Sequence, residues 1–264
     1  MAQRLREGVA PASVKNDLSI LRRAFRLAEK AGKAICPPFP SISVNNVRKG
    51  FFERPDAEAV HATLPMYLQP VARFAYLTGW RIRSEILALE WRQIDFAAGI
   101  VRLEPGTTKN DDGRTLPFAV LPELGALLHA QRERTDHLER EHGLIIPWVF
   151  HRDGHPIKDF RKAWRNAYKA AGVPDRIPHD FRRTAVRNLE RAGVPRSVAM
   201  KLTGHKTESV YRRYAIVSES DLAEGLKKLA ILHAADQGQV GGRLATIQPQ
   251  FRENGKPGKK PIRA

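Results

Sequence analysis

Between Pro178 and Val217 the chain gathers two histidines, an arginine and a tyrosine in the order His179, Arg182, His205, Tyr214. Arginine offers phosphate a permanently charged planar fork, imidazole titrates near neutral pH, and a phenol can attack phosphorus once its proton has an acceptor. These are groups that a metal-free phosphoryl transfer needs. His179 and Arg182 stand three apart at the start of a helical pattern that Pro178 opens, so both project from one face. After Ala192-Gly193-Val194-Pro195 a second helix reads through Met200 and Leu202 and stops at Gly204-His205; a third, short helix carries Tyr211 and Tyr214. Three short helices joined by tight turns can fold Tyr214 back toward Arg182.

The elements around this stretch alternate in type. From Ser13, a plausible N-cap, Val14, Leu18, Leu21, Phe25 and Ala28 form one stripe of a helix whose other face carries Lys15, Arg22, Arg23, Arg26 and Lys30, either solvated or laid along a DNA backbone. Residues 36–55 have no steady period and read as a linker; Asp56 then caps a helix through Ala57, Val60 and Leu64 that Pro65 ends. Tyr67 to Trp91 is helical in pattern. Gly99 to Glu104 and Arg114 to Phe118 alternate as two strands joined by a hairpin loop, in which Asp111-Asp112-Gly113 is turn chemistry and not a metal site. Leu121 to Glu141 is a long amphipathic helix, and Pro147 to Phe150 adds a short strand. His151 and His155 read as loop residues, because Gly154 and Pro156 forbid a helical metal pair. Asp159 to Ala171 is helical, with Phe160, Trp164 and Tyr168 as a core stripe. A last helix runs from Asp221 to Ala234, and the Gly-, Pro-, Lys- and Arg-rich residues from Gln237 on read as disordered. The fold class is mainly α with a small antiparallel β-sheet (α+β).

Composition narrows the partner. A formal charge of +17 and a pI near 10.4 point to a polyanion, nucleic acid first, with a merely soluble basic protein as the bland alternative. The single Cys36 excludes an intramolecular disulfide framework and a multi-cysteine zinc site. No apolar run approaches the length of a membrane span, and MAQRLREGVAPAS lacks the apolar core of a secretory signal. The expectation is a cytoplasmic chain that works on the nucleoid, without a cofactor or metal.

The stretch His179-Asp180-Phe181-Arg182, followed by Thr203-Gly204-His205 and Tyr214 nine residues later, resembles the tyrosine recombinases or phage-type integrases, which cut and rejoin DNA through a tyrosine. Thr203 departs from the leucine usual there. Thr78-Gly79-Trp80-Arg81 resembles the family's first box, although Glu85 lies four beyond the arginine where three is usual, as if one residue were inserted. The resemblance implies Tyr214 as nucleophile, Arg81 and Arg182 as phosphate-binding arginines with Arg83 as the fallback for the first, His179 and His205 as donors or proton shuttles, and Lys109 on the hairpin as general acid. Glu85 reads as a support that orients an arginine, since a carboxylate beside a phosphate would repel it.

The resemblance further implies a homo-tetramer on paired double-stranded DNA sites, possible accessory DNA-bending proteins, and a terminal helix that docks on a neighbouring protomer or on its own domain. Residues 1–36 then correspond to the last part of a helical core-binding domain whose front is missing, 37–52 to a linker, 53–235 to the catalytic domain and 236–264 to a disordered basic tail. Two other readings stand beside this one. Arg196 to Ala215 can be drawn as the helix-turn-helix of a non-catalytic DNA-binding protein, and the shortened front end fits an inactive, truncated integrase.

Overall fold

The computed structural model describes residues 1–44, 50–106, 113–214 and 219–244. Two helices come first, α1 (Ala2–Arg6) and α2 (Pro11–Lys30). Helix α2 begins ahead of Ser13: Pro11 suits the first turn, where its missing N–H has no partner to lose, and the Ser13 N–H already bonds the Ala10 carbonyl at 2.9 Å. Of the expected stripe, Val14 is buried while Leu21 is exposed.

The stretch 36–55 read as a linker enters the fold at its end, where Arg54 and Pro55 are helical. Phe52 is buried and stacked on Phe181 with ring centroids 4.5 Å apart, and its N–H is held at 2.8 Å by Thr184 Oγ1. Helix α3 (Arg54–Thr63) follows, with Glu53 at the N-cap position; Pro55 occupies the first turn, so Asp56 lies inside the helix and does not cap it. Helix α4 (Gln69–Thr78) stops at Gly79, whose φ of 66° closes the end in the left-handed region. The expected helix from Tyr67 to Trp91 is thereby cut in two. Its second part is a π-helical turn, Ile82–Ile86, in which Ile86 and Leu87 N–H groups reach back five residues to Arg81 and Ile82. A 3-10 turn, Trp91–Gln93, leads into the sheet.

Strands β1 (Ile94–Asp95), β2 (Ile100–Leu103) and β3 (Arg114–Pro117) form an antiparallel sheet in that order. The register pairs Val101 with Leu116 and Leu103 with Arg114, which puts the strands' apolar residues on one buried face. A 3-10 turn, Phe118–Val120, precedes helix α5 (Pro122–His142). The strand expected at Pro147 to Phe150 is reduced to a single bridge between Trp148 and Glu90. Instead β4 (His151–Arg152) and β5 (His155–Pro156) make a small ribbon around Asp153-Gly154, so the two histidines lie in strands and not in a loop. His151 is buried and ties the ribbon to α5 through Thr135 Oγ1 at 2.9 Å.

Helix α6 (Arg161–Ala170) carries Trp164 and Tyr168 into the core, and α7 (Asp180–Arg191) packs along α4. Helices α8 (Arg196–Thr203) and α9 (Glu208–Tyr211) follow, with a small apolar cluster of Val186, Ala199 and the fully buried Tyr211 between them and α7. Helix α10 (Glu219–Leu244) runs beyond Ala234 into the stretch expected to be disordered, while residues 245–264 lie outside the described set. Leu222, Leu226, Leu229 and Leu232 on α10 are exposed.

Because Phe52 fills the core between α6 and α7, Phe52→Ala is expected to destabilise the folded chain by about 3–5 kcal/mol. Urea unfolding followed by tryptophan fluorescence measures it, and a loss below about 1 kcal/mol would return the residue to the linker.

Candidate active site

Helix α7 supplies two of the expected groups from adjacent positions on one face. His179 precedes its first turn, and its Nε2 lies 2.9 Å from the Tyr214 hydroxyl. Arg182, one turn on, is buried; its guanidinium carbon stands 5.7 Å from the centre of the Tyr214 ring, and its Nη1 donates to the Gly79 carbonyl at 2.6 Å. Gly79 is required here. A Cβ at that position would lie 2.8 Å from the Ala185 Cβ, and the residue already needs a positive φ to end α4 and present its carbonyl. Nε and Nη2 of Arg182 are buried with no hydrogen-bond acceptor among the described residues. The next residue, Arg183, also approaches the phenol, 5.5 Å from its ring centre.

Arg81 reaches the same place from the end of α4. Glu85 lies four residues on, and its N–H bonds the Arg81 carbonyl at 2.9 Å, a spacing that keeps both side chains on one face. Glu85 consequently points back at Arg81, accepting its Nη1 at 2.6 Å and its backbone N–H at 2.8 Å. The same carboxylate takes Arg114 Nη2 from β3 at 2.9 Å. Arg83 is exposed and turned toward the Lys158 carbonyl, away from this group.

His205 closes the cluster, its ring centre 4.8 Å from that of Tyr214. Thr203, where leucine is usual, is buried; its hydroxyl donates to the Ala199 carbonyl at 2.7 Å and so can only accept from His205 Nδ1, also at 2.7 Å. The uncharged His205 ring therefore carries its proton on Nδ1 and turns a lone pair on Nε2 into the site, where it meets no hydrogen-bond partner among the described residues. A cleft of about 460 Å³, lined by Glu85, Arg114, Gly204 and His205 and edged by Lys201 and Lys206, opens beside it.

The electrostatics follow from crowding like charges. Burial, then Arg182, Arg183 and Arg81, push His179 down to about 4; burial, then Arg182 and Arg81, push His205 to about 3. Both rings are neutral at pH 7 and can accept a proton. Burial and Arg81 lower Arg182 to about 10, which leaves it charged. Burial raises Glu85, but Arg114 and Arg81 outweigh it and hold the carboxyl below its ordinary range. Hence five of the six expected residues, Arg81, His179, Arg182, His205 and Tyr214, converge; the sixth, Lys109, lies outside the described residues. Sequence reasoning missed Arg114, Arg183 and the Thr203–His205 pairing. Arg114 had a signal: it shares strand parity with buried Leu116, and a guanidinium on a core-facing position demands a carboxylate.

The sequence pattern of the Phage integrase family matches residues 54–220. The integrase of Salmonella phage P22 is 30% identical over 237 residues, covering 83% of this chain and 58% of that protein. Prophage integrase IntR of Escherichia coli (strain K12) is 23% identical over 242 residues, covering 80% of this chain and 59% of the relative. The chain thus spans a little under three-fifths of the length of these two relatives. Among solved structures, a lambda integrase tetramer bound to a Holliday junction superposes with a TM-score of 0.60 at 20% identity, over 81% of this chain and 62% of the other, a likeness of fold. With the match running from the start of α3 past Tyr214, and so across every side chain of the cluster, the chain belongs to the phage integrase family of tyrosine recombinases.

Proposed function

We propose that the chain is a site-specific recombinase that cuts and rejoins double-stranded DNA through a 3′-phosphotyrosyl intermediate on Tyr214. The observation that carries this reading is the Tyr214 hydroxyl held 2.9 Å from a neutral imidazole, beside a buried guanidinium with two unspent donors. Attack by the Tyr214 oxygen forms the tyrosyl O–P bond as the bond to the 5′ oxygen breaks. The phenol proton passes to His179, and the leaving 5′ oxygen takes a proton, for which family resemblance assigns Lys109. Arg182 and Arg81 neutralise charge building on the non-bridging oxygens. Phosphate charge near His205 opposes the arginines' effect and favours its imidazolium, whose Nε2–H then becomes a donor. The phosphotyrosyl link conserves the energy of the broken ester, so rejoining needs no nucleotide.

The basic faces of α2 and the site suit the duplex, and the family resemblance supports a tetramer on paired sites, with accessory DNA-bending proteins as further partners and the nucleoid as the place of action. The helix-turn-helix reading has less support. Its second helix, α9, is a single turn whose Tyr211 is buried, while Arg196 and Arg212 beside it are both engaged by Glu208.

Incubating the chain with sheared genomic duplex bearing nicks, then resolving it under denaturing conditions, is expected to show a DNA adduct joined through tyrosine. Tyr214→Phe is expected to bind the same DNA and give no adduct; an equal adduct would move the nucleophile elsewhere. The neutral imidazoles have a DNA-free consequence. His205 binds a proton near the ordinary 6.5 when unfolded but only near 3 when folded, so acidification from pH 6.5 toward 3 favours the unfolded chain. Between pH 7.5 and 5 this group alone is expected to remove about 2 kcal/mol of stability. His205→Asn should flatten that slope in urea unfolding; an unchanged slope would show that the ring is not held neutral.

A further inference from the structure

Arg114 lies on β3, outside the residues that the mechanism above uses, yet it is buried against the site. Its side chain is only 9% exposed. The guanidinium lies 4.5 Å over the Trp80 ring, and Trp80 is itself fixed by its Nε1–H on the Leu202 carbonyl at 3.1 Å. It passes so close to Gly204 that a Cβ there would overlap Nη1. One side chain thus touches the strand, the turn that bears Arg81 and the residue before His205. Its ion-pair partner is Glu85, which is 1% exposed and already holds Arg81 by two hydrogen bonds.

Charge balance gives this arrangement its meaning. A buried Arg81–Glu85 pair alone sums to zero, and the carboxylate would attract Arg81 as strongly as a phosphate does. With Arg114 on the same carboxylate, the three groups sum to one positive charge. Glu85 can then fix the position of Arg81 without cancelling the charge that Arg81 presents. We propose that Arg114 is a positioning residue for strand cleavage, holding Glu85 so that Arg81 is both aimed at the scissile phosphate and left with its charge available. This rests on the reading of Tyr214 as nucleophile. A lysine at 114 would keep the charge but lose the fork and the flat contact with Trp80.

The test uses the full chain and a nicked duplex recovered from the covalent capture, made once with an ordinary scissile phosphodiester and once with an uncharged methylphosphonate in its place. Adduct from the parent chain secures the reading of Tyr214; if the parent forms none, that reading fails before any variant is compared, and the role of Arg114 falls with it. Given parent activity, Arg114→Gln is expected to bind the duplex as the parent does and to cleave the phosphodiester about 10²-fold more slowly. On the methylphosphonate the deficit should shrink to within about tenfold, since a neutral linkage asks less of Arg81. Arg114→Lys should fall between the two. Arg102→Gln, which removes an exposed charge from the same sheet, serves as the reference for lost charge alone. A deficit of the same size on both linkages would leave Arg114 a merely structural residue, and no deficit would leave it dispensable; either overturns the proposal. Should the Gln chain not fold, Arg114→Lys and Glu85→Gln carry the same comparison.

Discussion

Guanidiniums repel one another, and at a separation of a few ångströms inside a protein the repulsion is several times what it is in water. Four of them, Arg81, Arg114, Arg182 and Arg183, crowd around Tyr214 and its neighbours. Two buried carboxylates make that concentration tolerable, Asp180 beside Arg183 and Glu85 beside Arg81 and Arg114. Glu85 has the wider reach. It is the acidic side chain placed to face both Arg81 and Arg114, and it sits at the joint between the helical layer and the sheet. The histidines answer the same field in the other direction, by shedding their protons. Positive charge is thereby concentrated in the guanidiniums, while the two imidazoles stay neutral and able to accept a proton.

Much of this was legible in the residues, and the failures have identifiable causes. Local spacing revealed His179, Arg182, His205 and Tyr214 because turn and helix signals lie close together there. The hairpin of β2 and β3 was legible from alternation, and the aromatic stripe of α6 from period. Strand β1 and the ribbon of β4 and β5 escaped because two-residue strands are set by their pairing partners and leave no periodic trace. Phe52 escaped because the Phe51-Phe52 pair stands in a stretch with no steady period, so its burial shows only when α6 and α7 are assembled around it. Ser13 and Asp56 misled in the same way: both are good capping residues, but a nearby proline suited to the first turn set the helix start earlier in each case.

The spacing from Arg81 to Glu85 shows how a departure in sequence becomes a feature in space. Four apart is, like three, a same-face spacing in a helix, so the added residue leaves Glu85 beside Arg81, whose carbonyl takes the Glu85 N–H at 2.9 Å. The five-residue bonds of Ile86 and Leu87 follow at once, and Ile86 and Leu89 beyond them are buried. The threonine at 203 is the second departure. It fixes which nitrogen of His205 is turned away from Thr203 toward the cluster, a property leucine could not confer.

Helix α7 unites these demands. Phe181 faces the main core, Ala185 packs against Gly79, Val186 faces the small cluster around Tyr211, and His179 and Arg182 lie on the same helix. Burying Arg182 with two donors unspent disfavours the folded state by something on the order of 1–3 kcal/mol. Packing of Phe181 against Phe52 and Trp164 on a neighbouring face of the same helix offsets that penalty. Arg182 is itself buried, and its Nη1 is held by the Gly79 carbonyl at 2.6 Å. Its remaining donors therefore stay aimed beside Tyr214, and an anion that reaches them gains hydrogen bonds without first having to order the side chain.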